Sequence, residues 1–196
     1  MKYLFTIIIF SIATLLGSDR SDKWKTPDYL IKSEICLSDE RVKEGLKEAV
    51  AIRYSSKESL EIKKISERLK NNDLKTFSLF FQDLFSGMVI YDSKPLELAV
   101  DDHCLLLHYL FVLNDEDFQD KGLGSYLLHV LETEVERSDS FNSIGIYLSE
   151  EESVLKNFLL SKGFSLREKD IPVFEKKQKG FFLWKKILSE EKVVAS

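Results

Sequence analysis

The sequence has very few cysteines, because Cys36 and Cys104 are the only two. Two thiols are too few for a disulfide framework or for a cysteine-rich zinc site. We therefore expect two buried free thiols, and a Cys36–Cys104 pair is the alternative if the chain is exported. Internal repeats and low-complexity tracts are also missing from the sequence, which leaves an ordinary globular domain as the expectation.

The second feature that the sequence lacks is an excess of basic residues. The chain has 28 Lys and Arg against 33 Asp and Glu, a net charge of −5. A protein that binds nucleic acid generally needs a basic face, so we expect no nucleic-acid partner. The acidity is compatible with a cationic amine or a basic protein as partner. With 196 residues, of which 44% are hydrophobic, the chain can form one domain with a full core.

The longest N-terminal apolar run, Leu4 to Leu16, has thirteen residues, whereas a membrane span needs about 20. Lys2 precedes this run and small residues follow it, which is typical of a signal peptide. We expect residues 1–18 to be a signal peptide or an N-terminal membrane-targeting segment, with a buried strand or helix as the alternative. The predicted localisation is the secretory pathway or export. Cytoplasmic and membrane-anchored forms are alternatives, with membrane contact only through this segment.

Residues 19–28 are predicted to be a linker, residues 29–188 one α/β domain and residues 189–196 a polar tail. The patterns predict the order β-α-α-β-β-β-α-β-α-β-β, hence a mixed central β-sheet flanked by helices. The expected first strand is Tyr29–Leu37. Capping residues at Ser38, Ser55 and Ser149 are expected to open three of the helices, and Gly163 is expected to end the last one.

A glycine-bearing turn is the most informative segment. Residues 119–125, Gln-Asp-Lys-Gly-Leu-Gly-Ser, follow the apolar run Leu105–Leu113 and precede a helical pattern over Tyr126–Glu136. Small residues let the main chain approach a ligand closely. The N–H groups at the helix start, together with the positive end of its dipole, then favour a phosphate.

Two motifs resemble those of the GCN5-related N-acetyltransferase (GNAT) family. Gln119–Gly124 is similar to its Arg/Gln-x-x-Gly-x-Gly/Ala signature, and Leu155–Phe164 is similar to its late helix that ends in Gly-Phe. Phe85–Ile90 resembles the third strand of the family. The resemblance covers roughly Lys75 to Leu188, and it implies the mixed sheet and flanking helices of that family.

The resemblance also implies an activity. Members of the family move an acetyl group from acetyl-CoA, a co-substrate, directly to a primary amine, and no metal is needed. The acceptor is expected to be an amine-bearing small molecule or protein. Main-chain groups of the turn would hold the pyrophosphate, and those at the end of the preceding strand would hold the pantetheine arm and polarise the thioester. The implied coenzyme-binding residues are Phe111, Val112, Leu113, Gln119, Asp120, Lys121, Gly122, Leu123, Gly124 and Ser125.

An acceptor ammonium must lose a proton before it attacks, which calls for a base. His108 lies about where histone-type members of the family carry a glutamate, and a core histidine with a satisfied hydrogen bond is the alternative interpretation. A second candidate cluster precedes it at Asp101, Asp102 and His103, with Glu97 nearby, and a solvated turn is the alternative there. Tyr147 and Tyr126 are the candidates for the acid that protonates the departing thiolate.

Departures from the family pattern leave a second function open. Leu159 replaces the tyrosine that usually serves as this acid, and Glu152 stands where the family often has asparagine. Six residues, among them three acidic ones, separate Val112 from Gln119, about two more than is usual. Asp120 adds a negative charge beside the expected phosphate. The alternatives are therefore a catalytically silent GNAT-like binding module and an exported effector.

Overall fold

The structure is a computed structural model that describes residues 29–33, 40–54, 58–99, 102–113, 116–118, 121–167 and 180–187. The predictions for residues 1–28, Ser38, Ser55 and residues 189–196 lie outside these ranges. The elements are β1 (Tyr29–Lys32), α1 (Glu40–Tyr54), α2 (Glu58–Lys70), β2 (Leu74–Phe81), β3 (Leu84–Asp92), β4 (Leu96–Ala99), β5 (Asp102–Val112), a 3₁₀ helix (Glu116–Phe118), α3 (Leu123–Arg137), β6 (Ser143–Ser149), α4 (Ser153–Ser161), β7 (Ser165–Leu166) and β8 (Gly180–Lys186).

The eight strands of the described residues form one mixed sheet with the order β1-β2-β3-β5-β6-β8-β7, and β4 pairs with β5 beside this path. Among these described strands, β5 and β6 are the one parallel pair, and the other pairs are antiparallel. A parallel pair needs a crossover connection, and α3 supplies it. The predicted fold class, a mixed sheet flanked by helices, is confirmed.

The two faces of the sheet bury different helices. On one face, Leu127 and Leu131 of α3 and Leu159 of α4 pack against strand residues such as Leu105 and Ile146. On the other face, α1 and α2 cover a second cluster, whose fully buried members include Val50, Met88 and Ile90. Apolar residues recur at helical spacing in the helices, and they alternate or run continuously in the strands. These patterns explain why a sheet with two covered faces forms.

Three predictions about the elements were wrong. The structure has an additional strand, β4, and the 3₁₀ helix at Glu116–Phe118, which the sequence patterns did not indicate. The first strand ends at Lys32, because Ser33 is no longer part of it; the predicted strand residues 34–37 lie outside the described ranges. Helix α4 begins at Ser153 with Glu152 as its N-cap, because Ser149 still belongs to β6.

The end of α4 is as predicted. Gly163 has φ +85°, the left-handed conformation that favours glycine after a helix. Its N–H donates to the Leu160 carbonyl, and the Phe164 N–H donates to the Leu159 carbonyl, at 3.1 Å each. This pair of bonds is a Schellman motif, and the buried side chains of Phe164 and Leu159 provide its apolar contact.

Among the described residues, no helix combines the length and the apolar character that crossing a membrane requires.

Candidate functional site

The parallel strands β5 and β6 separate along their length. Their pairing begins at Cys104–Ser143 and stops at Leu107–Ile146. Beyond that point β5 continues to Val112 and β6 continues to Ser149, each still bonded to its outer neighbour. The result is an opening between two parallel strands at their C-terminal ends. Main-chain groups that face such an opening are free of each other and can bind a ligand.

The main chain of β5 faces this opening at alternate residues. The N–H of Leu113 donates to the carbonyl of Ser86 at 2.9 Å, and Val112 lies opposite Gly87. Since bonded and non-bonded pairs alternate in an antiparallel ladder, Val112–Gly87 is a non-bonded pair. The N–H and C=O groups of Val112, and those of Leu110 two residues earlier, therefore point away from β3 into the opening.

Phe111 and Leu113 are oriented the other way. A Cβ atom added to Gly87 of β3 would lie 2.6 Å from the Phe111 carbonyl oxygen, so this carbonyl is on the β3 side. A Cβ on Gly45 of α1 would come within 2.7 Å of both the Phe111 and the Leu113 side chains. These two residues bind α1 to the end of β5. The geometry thus favours Val112 over Phe111 as the residue whose main chain meets a ligand.

Helix α3 begins beside the end of β5. Its N-cap is Gly122, with φ 70° and ψ 17° and no side-chain cap, and the first helical bond runs from Tyr126 N to Gly122 O. The N–H groups of Leu123, Gly124 and Ser125 precede that bond, so the helix itself offers them no acceptor. They form an anion cradle at the positive end of the helix dipole.

The two glycines of the cradle differ in their surroundings. A Cβ on Gly122 would meet nothing within 4 Å, whereas one on Gly124 would lie 3.6 Å from the Phe158 ring and 3.9 Å from Val112. Gly124 thus lies between the strand end and helix α4, and it brings the cradle and the opening together. Lys121 is exposed at the edge of the cradle. Gln119 and Asp120 lie outside the described residues.

The 3₁₀ helix accounts for part of the longer connection between β5 and α3. Its Phe118 is buried and packs edge-on against Phe81 of β2, with ring centroids 6.4 Å apart. Glu116 is exposed. The connection between β5 and α3 therefore contains a buried apolar residue, Phe118, as well as acidic residues. Of the acidic residues, Asp115 lies outside the described ranges.

On the β6 side, Glu152 closes the strand end. Its Oε2 accepts hydrogen bonds from the N–H of Ser149 at 2.8 Å and from the Ser149 hydroxyl at 3.1 Å. Leu159 is fully buried in the core between α4 and the sheet. Position 159 therefore faces the core and not the opening between β5 and β6.

His108 is the first residue of β5 beyond the last β5–β6 pair. It is also an extra residue in the ladder with β3, because Tyr109 pairs with Ile90 while Leu107 pairs with Tyr91. Such a bulge redirects a side chain and occurs often beside active sites. The His108 Nε2 lies 2.9 Å from Oδ1 of Asp92, the last residue of β3. His108 is therefore half-buried, and its ring is hydrogen-bonded to a carboxylate.

Asp92 holds two partners. Its Oδ1 also accepts from Arg68 Nη2 of α2. Burial tends to raise the pKa of Asp92, but the hydrogen bond with His108 and the charge of Arg68 outweigh it and hold the pKa of this carboxyl below its ordinary value. An open groove of about 350 Å³ lies beside the cluster and is lined by charges of both signs, including Arg68, Asp73 and Lys94.

Tyr147 is the counterpart of His108 on β6. It is the first residue after Ile146 in the last pair. Residues in register on parallel strands share a face, so His108 and Tyr147 flank the start of the opening on the same face of the sheet. The Tyr147 ring packs against the apolar cluster that includes Phe182 of β8, and a Cβ atom added to Gly180 of β8 would lie 2.6 Å from the Tyr147 hydroxyl. Tyr126, the other candidate acid, packs against the core from α3, on the opposite face.

The cluster predicted around Asp102 is a structural ion pair. The buried Asp102 accepts hydrogen bonds of 2.6 Å from both the Ser143 hydroxyl and Arg167 Nη1. Burial by itself would raise the pKa of Asp102, but these bonds and the Arg167 charge outweigh it and hold this pKa below its ordinary value. Asp102 is six residues, ~20 Å along the strand, from His108. Asp101 lies outside the described residues.

The remaining candidates near it have no role at the opening. His103 of β5 pairs with Glu97 of β4, at the end of the sheet opposite the anion cradle. Burial raises the pKa of Cys104 to about 12, so this thiol is inert at neutral pH. Cys36 is outside the described ranges. No group of three or more metal-binding side chains occurs in the described parts of the chain.

Sequence reasoning missed Asp92 and Arg68. They lie 16 and 24 residues from their partners, on different elements, and neither belongs to a motif. The only available signal was a carboxylate at the end of an apolar strand, which the sequence alone does not connect to His108.

Comparison with known proteins places this geometry in a known fold. No family model matches the sequence, and no curated protein matches it either. Solved structures do match. They include a GNAT-family acetyltransferase from Staphylococcus aureus (TM-score 0.59, 14% identity, 82% of this chain and 99% of that one). PaiA N-acetyltransferase from Thermoplasma acidophilum in complex with coenzyme A also matches (TM-score 0.57, 17% identity, 81% and 98%).

A third is a GNAT-family acetyltransferase from Elizabethkingia anophelis with acetyl-CoA bound (TM-score 0.55, 14% identity, 81% and 97%). Similarity over four fifths of the chain confirms the fold that the motifs predicted: the chain has the GNAT fold. At this identity the similarity establishes the fold alone.

Proposed function

We propose that the chain is an acetyl-CoA-dependent N-acetyltransferase that acetylates a primary amine by direct transfer. One observation carries the proposal. The opening between β5 and β6 meets the anion cradle of α3 at Gly124, which lies against both Val112 and Phe158. An elongated ligand with a phosphate end and an amide-bearing arm fits these two features together. Coenzyme A and acetyl-CoA complexes occur among the solved structures of this fold.

The residues divide the binding between them. The N–H groups of Leu123, Gly124 and Ser125 are placed to hold the pyrophosphate, with Lys121 at the edge adding a positive charge. The main-chain groups of Leu110 and Val112 are placed to bond the pantetheine amides. A main-chain N–H at the end of β5 would also stabilise the charge that develops on the thioester oxygen.

Two side chains at the start of the opening supply the proton transfers. An aliphatic ammonium has a pKa of about 10.4, so a base must remove its proton before the nitrogen attacks the thioester carbonyl. We assign this role to His108. The new N–C bond forms as the C–S bond breaks, and Tyr147 gives its proton to the thiolate. The second proton that the nitrogen loses on becoming an amide then restores the Tyr147 hydroxyl, while the first, taken by His108, passes to solvent. The mixed charges of the neighbouring groove, including Asp73 and Lys94, face the acceptor.

The direct test uses the full chain in two assays. Calorimetric titration with acetyl-CoA is expected to show saturable binding to one site. Incubation with acetyl-CoA and a panel of primary amines, namely lysine amide, spermidine and lysine-bearing peptides, is expected to release free thiol only when an acceptor is present. Absence of binding refutes the proposal. Binding without transfer to any amine of the panel supports the catalytically silent module instead.

A further inference from the structure

The bulge in β5 determines where His108 points. The extra residue shifts the alternation of side chains along the strand. As a result, Cys104 and Leu106, which precede the bulge, lie on the same face of the sheet as Tyr109, which follows it. His108 therefore faces the side of α1 and α2, opposite the face that carries α3. Without the bulge, either His108 or the apolar residues after it would be on the wrong face.

Asp92 is the residue that meets His108 on that face. It ends β3, the strand next to β5, and its carboxylate is 2.9 Å from Nε2 of His108. Both side chains are about one-fifth exposed, at 20% and 22%. Arg68 of α2 contacts the same carboxylate oxygen. A carboxylate oxygen that contacts two polar side chains, each from a different element, has little freedom to move.

We propose that Asp92 is a positioning residue for the catalytic base: it holds the His108 ring in one orientation and in the tautomer with hydrogen on Nε2. The proposal rests on the proposed function. The basic lone pair is then on Nδ1, which takes the proton from the acceptor ammonium, and the carboxylate stabilises the imidazolium that results. This proton leaves to solvent after the transfer. Arg68 keeps Asp92 ionised and in place.

The tautomer can be measured without knowing the acceptor. The chain has three histidines, so ¹⁵N-histidine labelling of the full chain gives three ring spectra, and His108→Gln identifies the one of interest. The neutral His108 ring is expected to be the Nε2–H tautomer alone in the wild type. In Asp92→Ala it is expected to become a mixture of both tautomers. Asp92→Asn serves as the second variant if Asp92→Ala does not fold.

Glu132→Gln is the matched control. It breaks a similar ion pair, Glu132–Lys185 at 2.7 Å, whose carboxylate is 19% exposed, against 20% for Asp92. This variant is expected to leave the His108 spectrum unchanged. A wild-type His108 ring that is protonated on Nδ1, or that already shows the mixture seen in Asp92→Ala, would overturn the proposal.

A rate measurement distinguishes positioning from a purely structural role. With the best amine of the panel, His108→Gln is expected to lower kcat by about 10²–10⁴-fold, the usual contribution of a general base. Asp92→Ala made in the wild type is expected to lower kcat by about 10-fold or more. The same substitution made in the His108→Gln variant is expected to have no further effect on kcat. If Asp92→Ala lowers kcat by the same factor in the wild type and in His108→Gln, the positioning role is contradicted.

The two proposals can fail separately. If Asp92→Ala binds acetyl-CoA but its His108 tautomer is unaltered, this proposal alone is refuted. If the protein does not bind acetyl-CoA, the proposed function is refuted.

Discussion

A pair of substitutions at Gly122 tests the anion cradle with one charge as the only difference. Gly122 has φ 70°, and a Cβ atom there meets nothing within 4 Å. Asn and Asp tolerate this left-handed conformation better than other side chains, and the two are nearly isosteric. Gly122→Asn and Gly122→Asp therefore impose the same backbone strain. Only the aspartate adds a negative charge at the start of α3.

Relative to Gly122→Asn, the Gly122→Asp variant is expected to be at least as stable but to bind coenzyme A more weakly. In the free protein, a carboxylate at a helix N-terminus is worth about 0.3–1 kcal/mol, so Gly122→Asp should be at least as stable as Gly122→Asn. With a bound pyrophosphate, two like charges about 4 Å apart repel by about 1 kcal/mol in water and about 4 kcal/mol near a protein surface. Since about 1.4 kcal/mol is tenfold in Kd, these two limits mean that Gly122→Asp should bind coenzyme A roughly 5- to 700-fold more weakly than Gly122→Asn.

Calorimetric titration with coenzyme A gives the affinities, and urea unfolding gives the stabilities. Equal affinities of the two variants would refute the placement of the pyrophosphate at α3. A loss of affinity in Gly122→Asp that is matched by a loss of stability would also refute the reasoning, because the charge would then be acting on the fold. A rise in salt should narrow the difference in Kd, since screening weakens the repulsion.

Three further substitutions test other parts of the account. Leu159→Tyr should lower the free energy of unfolding by about 1–3 kcal/mol, because the site is fully buried, whereas Leu159→Met should cost less than about 1.5 kcal/mol; urea denaturation measures both. Tyr147→Phe should lower kcat by about 10²–10⁴-fold with the Kd for acetyl-CoA unchanged, and an unchanged kcat would exclude Tyr147 as the acid. The pKa of Asp102 is lowered in the folded state, so its contribution to stability is present above about pH 4 and is lost as the pH falls through that lowered pKa. Asp102→Asn should therefore be less stable at pH 7 and lose less stability on acidification than the wild type, as thermal unfolding at several pH values would show.

Much of the fold was predictable from local patterns. The apolar run of β5, the glycine turn and the helix that ends at Gly163 each form because of neighbouring residues, and each is present as expected. The start of α4 was not predictable in this way. Ser149 and Glu152 do interact, but the pairing of β6 with β8 extends to Ser149, so the helix begins later. Tertiary pairing overrode the capping signal.

The candidate site was only partly predictable. The cradle depends on residues that are adjacent in sequence, so its position follows from the motif. Asp92 of β3 contacts both His108 of β5 and Arg68 of α2, and whether these three residues meet depends on the β5 bulge and on the packing of α2. The role of Asp102 was hidden for the same reason, since its partner Arg167 is 65 residues away.

The most direct test of the central claim is a residue-resolved titration. Amide ¹H–¹⁵N spectra of the full chain, recorded with increasing coenzyme A, should show saturable shifts at Leu123, Gly124 and Ser125 and at Leu110 and Val112. The amides around His103, at the other end of β5, should remain unchanged. No saturable shifts, or shifts confined to residues away from the β5–β6 opening and the start of α3, would contradict the account.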